Sequence, residues 1–150
     1  MKQILSWVAL LTCSVFTAFA HAQTVTCQGL TPTIIGTDGD DVLTGTENDD
    51  VIAGLGGDDV IKGKAGDDVL CGGPGHDIVQ GGQGQDLIDA GDGDDLVKGG
   101  EDDDVLLGGS GADVLDGNHG KDALDGGKDD DILDGGPGKD VLVKGETKVN

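Results

Sequence analysis

The chain has 150 residues and a formal net charge of -21, from 30 acidic against 9 basic side chains, with Gly at 30 positions and Arg at none. That much negative charge repels nucleic acid and anionic lipid, so neither is an expected partner, while cations are attracted. On composition alone, scarce bulky hydrophobes and high charge point towards disorder; only the order of the residues argues otherwise.

Residues 1–22 read as a signal peptide. Met1-Lys2 gives a positive start, Ile4 to Ala20 is largely apolar, and Ala18-Phe19-Ala20 and Ala20-His21-Ala22 both fit a small-x-small cleavage pattern, of which the second, ending at Ala22, is preferred. The apolar run is short for a membrane span, which needs about 20 residues, so no membrane insertion is expected. A second reading makes Cys13 a lipidation site after Leu10-Leu11-Thr12, although Thr12 fits poorly there. Trp7, Phe16 and Phe19 all lie in this leader and Tyr is absent, so the exported chain would hold no aromatic residue. Any core must be built from Val, Ile and Leu.

Residues 23–35 read as an N-terminal cap. Thr33-Ile34-Ile35 has the pattern of a short strand, and Pro32 precedes it.

From Gly36 to Val143 the sequence divides into twelve nonapeptides without insertion or deletion. Position six is Asp in all of them: Asp41, Asp50, Asp59, Asp68, Asp77, Asp86, Asp95, Asp104, Asp113, Asp122, Asp131 and Asp140. Position eight is always aliphatic, from Leu43 and Ile52 to Leu133 and Leu142. Position four is Gly except at Asn48, Asp102 and Asp129, the residue types that best tolerate a left-handed backbone, which predicts positive φ there. Positions one to six read as a Gly-rich turn and positions seven to nine as a three-residue strand. Alternation along the strand sends position eight inward and positions seven and nine outward. One repeat cannot bury its single aliphatic side chain, but pairs of repeats set back to back and stacked can.

These units, such as Gly63-Lys-Ala-Gly-Asp-Asp-Val-Leu-Cys71, closely resemble the RTX, or hemolysin-type, calcium-binding repeat Gly-Gly-x-Gly-x-Asp-x-aliphatic-x. The resemblance covers residues 36–143 and implies an all-β parallel β-roll, a β-solenoid with two repeats per turn and about six turns. At about 4.8 Å between strands it would be roughly 30 Å long. It also implies multiple Ca2+ ions, each held between loops two repeats apart by position-six Asp carboxylates and turn carbonyls. The first pairs would be Asp41 with Asp59 and Asp50 with Asp68, with up to about ten ions by this stacking. Like charges stacked this closely repel, and a hard divalent ion relieves them. Calcium accepts six to eight oxygens in flexible geometry, whereas magnesium keeps its water. Binding energy would then appear as folding energy. The units depart from this pattern at Thr37, Thr46, Leu55, Lys64 and Asn118 (position two) and at Ala90 (position one). Position five, Asp in seven repeats, reads as outward charge that draws in cations.

Cys27 in the cap and Cys71 at the end of the fourth repeat are the two cysteines of the exported chain, which favours a disulfide. In strict register they would stand about two turns apart, near 10 Å, beyond the roughly 7 Å a disulfide spans, so the cap would have to fold back. Residues 144–150 form a short tail that leaves the last strands as an open edge, for a partner or for further chain. Many RTX proteins carry a C-terminal export signal and no N-terminal leader; the reverse arrangement here argues for general secretory export to an extracellular location.

An enzyme is not expected. There is no His-Glu-x-x-His motif and no Ser with a plausible His partner, and His76 and His119 fall in loops. Two functions from different classes remain: a secreted calcium-binding module, and a structural or adhesive surface protein that assembles through the roll. The position-seven row of Val42, Val51, Val60, Val69 and Ile78 reads either as strand propensity or as a stripe for self-association or a cell-surface partner. An ice-binding solenoid would need a flat array of Thr or Asn, which positions seven and nine do not supply.

Overall fold

The computed structural model describes residues 25–143; the expected leader and the tail 144–150 lie outside the described residues. The thirteen strands are β1 (Ile34–Ile35), β2 (Val42–Thr44), β3 (Val51–Ala53), β4 (Val60–Ala65), β5 (Val69–Pro74), β6 (Ile78–Gln83), β7 (Leu87–Asp92), β8 (Leu96–Glu101), β9 (Val105–Ser110), β10 (Val114–His119), β11 (Ala123–Lys128), β12 (Ile132–Asp134) and β13 (Val141–Val143).

Odd-numbered strands form one seven-stranded sheet and even-numbered strands form a six-stranded one. All pairings between strands are parallel, and every register offset is eighteen residues, as in Leu70↔Ile88 and Val97↔Leu115. Two nonapeptides therefore make one turn of a parallel β-solenoid, and the chain winds about six times. Successive position-eight side chains enter the core alternately from the two sheets. Ile52, Ile61, Leu70, Val79, Ile88, Val97, Leu106, Leu115 and Leu124 are all fully or almost fully buried there. Ile34, Leu43 and Leu133 pack against the ends of this row, and Leu142 stays 44% exposed in the last strand. The core is one aliphatic side chain thick per repeat, which is why residues 25–143, with no aromatic side chain among them, can close it.

Two expectations need correction. The strands β4–β11 run for six residues, through position three of the following repeat, so the turn is confined to about positions four to six. Pairing resumes beyond position one, as in Lys64↔Gly82 and Ala65↔Gln83, because a residue without a side chain at position one lets the chain bend inward and continue. Positive φ at position four holds from Gly57 to Asp129, including Asp102 (φ 78) and Asp129 (φ 76), but Asn48 is not left-handed. Position two, in contrast, is left-handed from Leu55 to Gly136, even where the residue is Leu55, Lys64 or Asn118.

The N-terminal segment reverses at once. Cys27 and Leu30 exchange backbone hydrogen bonds of 3.0 and 2.9 Å around Gln28 and Gly29, both at positive φ, the geometry of a tight hairpin turn. This reversal lays the segment on the outer face of the odd sheet. The sulfur atoms of Cys27 and Cys71 are bonded, with Cα atoms 5.7 Å apart, and the Gln28 side-chain amide donates to Asp89, the next residue along that face. Ala53 is only 3% exposed on what would otherwise be an outer position. Strict register overestimates the cysteine separation because Cys27 stands over the sheet and not at its edge.

Candidate metal centre

The loops stack as the strands do, so the position-six carboxylates form two columns, one along each edge of the roll. In every step of both columns the backbone N–H of one Asp donates to Oδ1 of the Asp eighteen residues later. The distance is 2.8 Å from Asp41 to Asp59 and from Asp50 to Asp68, 2.7 Å from Asp77 to Asp95, and 3.1 Å from Asp122 to Asp140. The Asp backbone carbonyl accepts the N–H of position seven one turn on, as in Val60 to Asp41 at 2.9 Å. Each Asp from Asp59 to Asp122 is thereby fixed by the fold at three atoms.

The fourth atom is different. Oδ2 of Asp59, Asp68, Asp77, Asp86, Asp95, Asp104, Asp113, Asp122 and Asp131 is buried and has no hydrogen-bond partner. A buried carboxylate oxygen without a donor is costly, so nine in register require an explanation. Their surroundings supply one. A methyl group built on Gly54 would collide with Asp59 Oδ2 and lie 2.6 Å from the Gly72 carbonyl oxygen. The same probe on Gly63 meets Asp68 Oδ2 and, at 2.7 Å, the Gly81 carbonyl; on Gly99 it meets Asp104 Oδ2 and, at 2.8 Å, the Gly117 carbonyl. Between successive loops, then, a carboxylate oxygen and a main-chain carbonyl oxygen close on one space, and position one is Gly so that this space stays open. A carboxylate oxygen without a donor, facing a carbonyl oxygen, suits a cation with a preference for oxygen. Ala90 alone puts a methyl group there.

Among the described residues no three His, Cys, Asp or Glu side chains converge as an all-side-chain metal cluster. Carboxylates here come as stacked pairs, so backbone oxygens must complete any coordination shell. The donor set is therefore hard and oxygen-only, which suits calcium and not zinc.

Burial, more than mutual repulsion, loads these groups. Desolvation pushes Asp86, Asp95 and Asp104 up to about 7, and Asp68 and Asp77 up to about 6. Backbone donors partly oppose the rise, and the neighbouring carboxylates add to it. Asp59, Asp113 and Asp122 are raised for the same first reason. Repulsion alone, the basis of the sequence argument, is the smaller effect. Asp50 is the exception: a backbone hydrogen bond from Thr46 holds it below the usual carboxylate value.

Position five does more than display charge. Asp40, Asp49, Asp58, Asp67, Asp94 and Asp103 each accept through Oδ1 the backbone N–H of the residue one turn later, at 2.8–3.0 Å. His76 takes the same place in this second ladder, its Nδ1 accepting the Asp94 N–H at 2.9 Å. His119 is exposed, 3.5 Å from Glu101. The eighteen-residue stacking could have suggested this ladder, because it sets each position-five side chain beside the next loop's N–H.

No curated protein matches the chain. The family model of the RTX calcium-binding nonapeptide repeat matches it four times, over residues 35–70, 72–106, 98–133 and 107–142. Those matches cover the solenoid almost from end to end and coincide with the stacked Asp columns. The chain belongs to the RTX calcium-binding nonapeptide repeat family.

Proposed function

We propose that this is an exported, non-catalytic protein whose roll folds as calcium enters the two Asp columns. The ions would lie between loops one turn apart, with position-six carboxylates and position-one carbonyls among their ligands. The observation that carries this reading is the row of nine buried Oδ2 atoms without donors. With the metal absent, burying these oxygens opposes folding of a thin aliphatic core; with it present, they become ligands, and binding energy counts as folding energy. Extracellular calcium modules work at roughly 10⁻⁴ to 10⁻³ M, so the chain would stay unfolded at cytosolic calcium and fold after export. The N-terminal pattern Met1 to Ala22 supports export through a cleaved leader. The test is a calcium titration of the chelator-treated chain followed by far-ultraviolet circular dichroism. A cooperative gain of β signal is expected, with magnesium much weaker; a spectrum indifferent to calcium would overturn the reading.

One observation favours a second role on top of the first. Val42, Ile78, Leu96, Val114 and Ile132 expose their side chains in a row on the outer face of the even-numbered sheet, broken by half-buried Val60, with Val42 at 77%. Such rows suit lateral assembly or adhesion to a surface. Size-exclusion chromatography with and without calcium separates the roles, since assembly through the roll requires a calcium-dependent oligomer.

A further inference from the structure

We infer that Thr37 and Thr46 close the two cation columns at their N-terminal end, so that the gaps Asp41–Asp59 and Asp50–Asp68 need no ion and the calcium sites begin at Asp59 and Asp68. This rests on the calcium reading above and narrows it.

The atoms that are orphaned elsewhere are satisfied here. Asp41 Oδ2 accepts the Thr37 N–H at 2.6 Å and lies 2.8 Å from the Thr37 hydroxyl. Asp50 Oδ2 accepts the Thr46 N–H at 2.6 Å and lies 2.9 Å from the Thr46 hydroxyl. Each hydroxyl has one hydrogen, and its contact to the carboxylate is shorter than that to the turn carbonyls of Gly39 (3.2 Å) and Asn48 (3.4 Å), so the hydrogen goes to the carboxylate. Two donors thus meet the oxygen that in the following nine repeats meets none.

The backbone of these two loops is built to allow it. Position two is left-handed in every repeat from Leu55 to Gly136, but Thr37 and Thr46 are not left-handed, and neither are Gly39 and Asn48 at position four. A β-branched residue resists positive φ, and in the alternative conformation its N–H is aimed at the carboxylate. The cap continues the same logic one step outward. Pro32 stands where the next ladder donor would be and has no N–H, and the Thr33 hydroxyl lies 3.2 Å from Asp50 Oδ1 in its place. The Thr33 hydroxyl also faces the Val51 carbonyl at 3.1 Å, so the firm donors to Asp50 are the two from Thr46 on Oδ2.

The count follows from the stacking. The position-six ladder has ten steps between loops one turn apart. Removing the two Thr-closed gaps leaves eight, which are the gaps opened by the orphaned Oδ2 atoms from Asp59 to Asp122.

The experiment is a count of calcium per chain by equilibrium dialysis and elemental analysis at saturating calcium, on the chain and three variants. The chain should bind no more than eight. Asp41→Asn/Asp50→Asn, whose amide oxygens still accept from the threonines, should bind as many as the unaltered chain, while Asp86→Asn should bind fewer. Thr37→Gly/Thr46→Gly, which removes the hydroxyls and permits the left-handed loop, should bind two more. A loss of ions in Asp41→Asn/Asp50→Asn, or no gain in a folded Thr37→Gly/Thr46→Gly variant, would overturn the inference and leave the calcium reading standing. Absence of calcium from all four chains would instead overturn the calcium reading itself.

Discussion

At the scale of single residues, the proposed function makes the position-six Asp a ligand whose cost and benefit would exchange sign with the metal. Asp104 is buried, pushed up to about 7 by desolvation, and holds one oxygen against the Asp86 N–H while the other has no donor. Asp104→Asn keeps the shape and the acceptor but removes the charge. In chelator it should stabilise whatever roll forms, by on the order of 1–3 kcal/mol, the cost of an unsatisfied buried polar group; in millimolar calcium it should destabilise the roll and shift the calcium midpoint upward. Thermal unfolding under both conditions reads the two signs, and the same sign in both would contradict the role. Glycine at position four serves backbone geometry instead. Gly93 has φ 134, and a methyl there would strike the Gly75 carbonyl oxygen, a backbone atom that cannot rotate away. Gly93→Ala should cost about 1–3 kcal/mol, seen as a lower melting temperature in calcium, whatever the ion count. Residue identity made these positions legible in the sequence: invariant Asp at six and Gly, Asn or Asp at four. The left-handed backbone at Leu55 and Lys64 was not legible, because neither side chain favours it; stacking onto the loops one turn away imposes it.

At the scale of elements, each strand from β3 to β11 contributes one buried aliphatic side chain at position eight, so stability is spread evenly along the middle of the roll and falls at its ends. Leu106→Ala in β9 empties a fully buried place and should cost about 2–5 kcal/mol. Leu142→Ala in β13, where the side chain is 44% exposed, should cost much less by the same unfolding assay. The cap adds a covalent tie. The bond from Cys27 to Cys71 closes a loop across 44 positions, which restricts the unfolded chain by about 4 kcal/mol on the chain-entropy account. Paired Cys27→Ser/Cys71→Ser substitution should therefore lower the melting temperature clearly in calcium without changing the number of ions bound. The alternation of positions seven to nine made the strands legible, yet their full six-residue length was not, since it depends on pairing one turn away that continues past position one. The role of Thr37 and Thr46 was hidden for a like reason: in the sequence they are two departures from Gly, and only the orphaned oxygens of the later repeats reveal what they supply.

At the scale of the whole molecule, the roll is a frame that holds two lines of buried carboxylates, and its pH dependence without metal follows from them. Asp68, Asp77, Asp86, Asp95 and Asp104 have folded values of about 6 to 7 against an ordinary value near 4. Between those limits the folded chain holds more protons than the unfolded one, so stability falls as pH rises. In chelator, the roll should be most stable at about pH 4 and below and lose stability progressively from there to about pH 7, while Asp50, lowered and not raised, contributes weakly in the opposite direction. Calcium should abolish most of that loss above pH 7. Circular dichroism across this range with and without calcium tests both statements.

The most direct test of calcium-driven folding is small-angle X-ray scattering at pH 7.5, first in excess chelator and then in millimolar calcium. A radius of gyration of roughly 35 Å, contracting to about 15 Å when calcium is added, is the expected result. A chain equally compact in chelator would contradict the account, since the buried carboxylates would then need no ion.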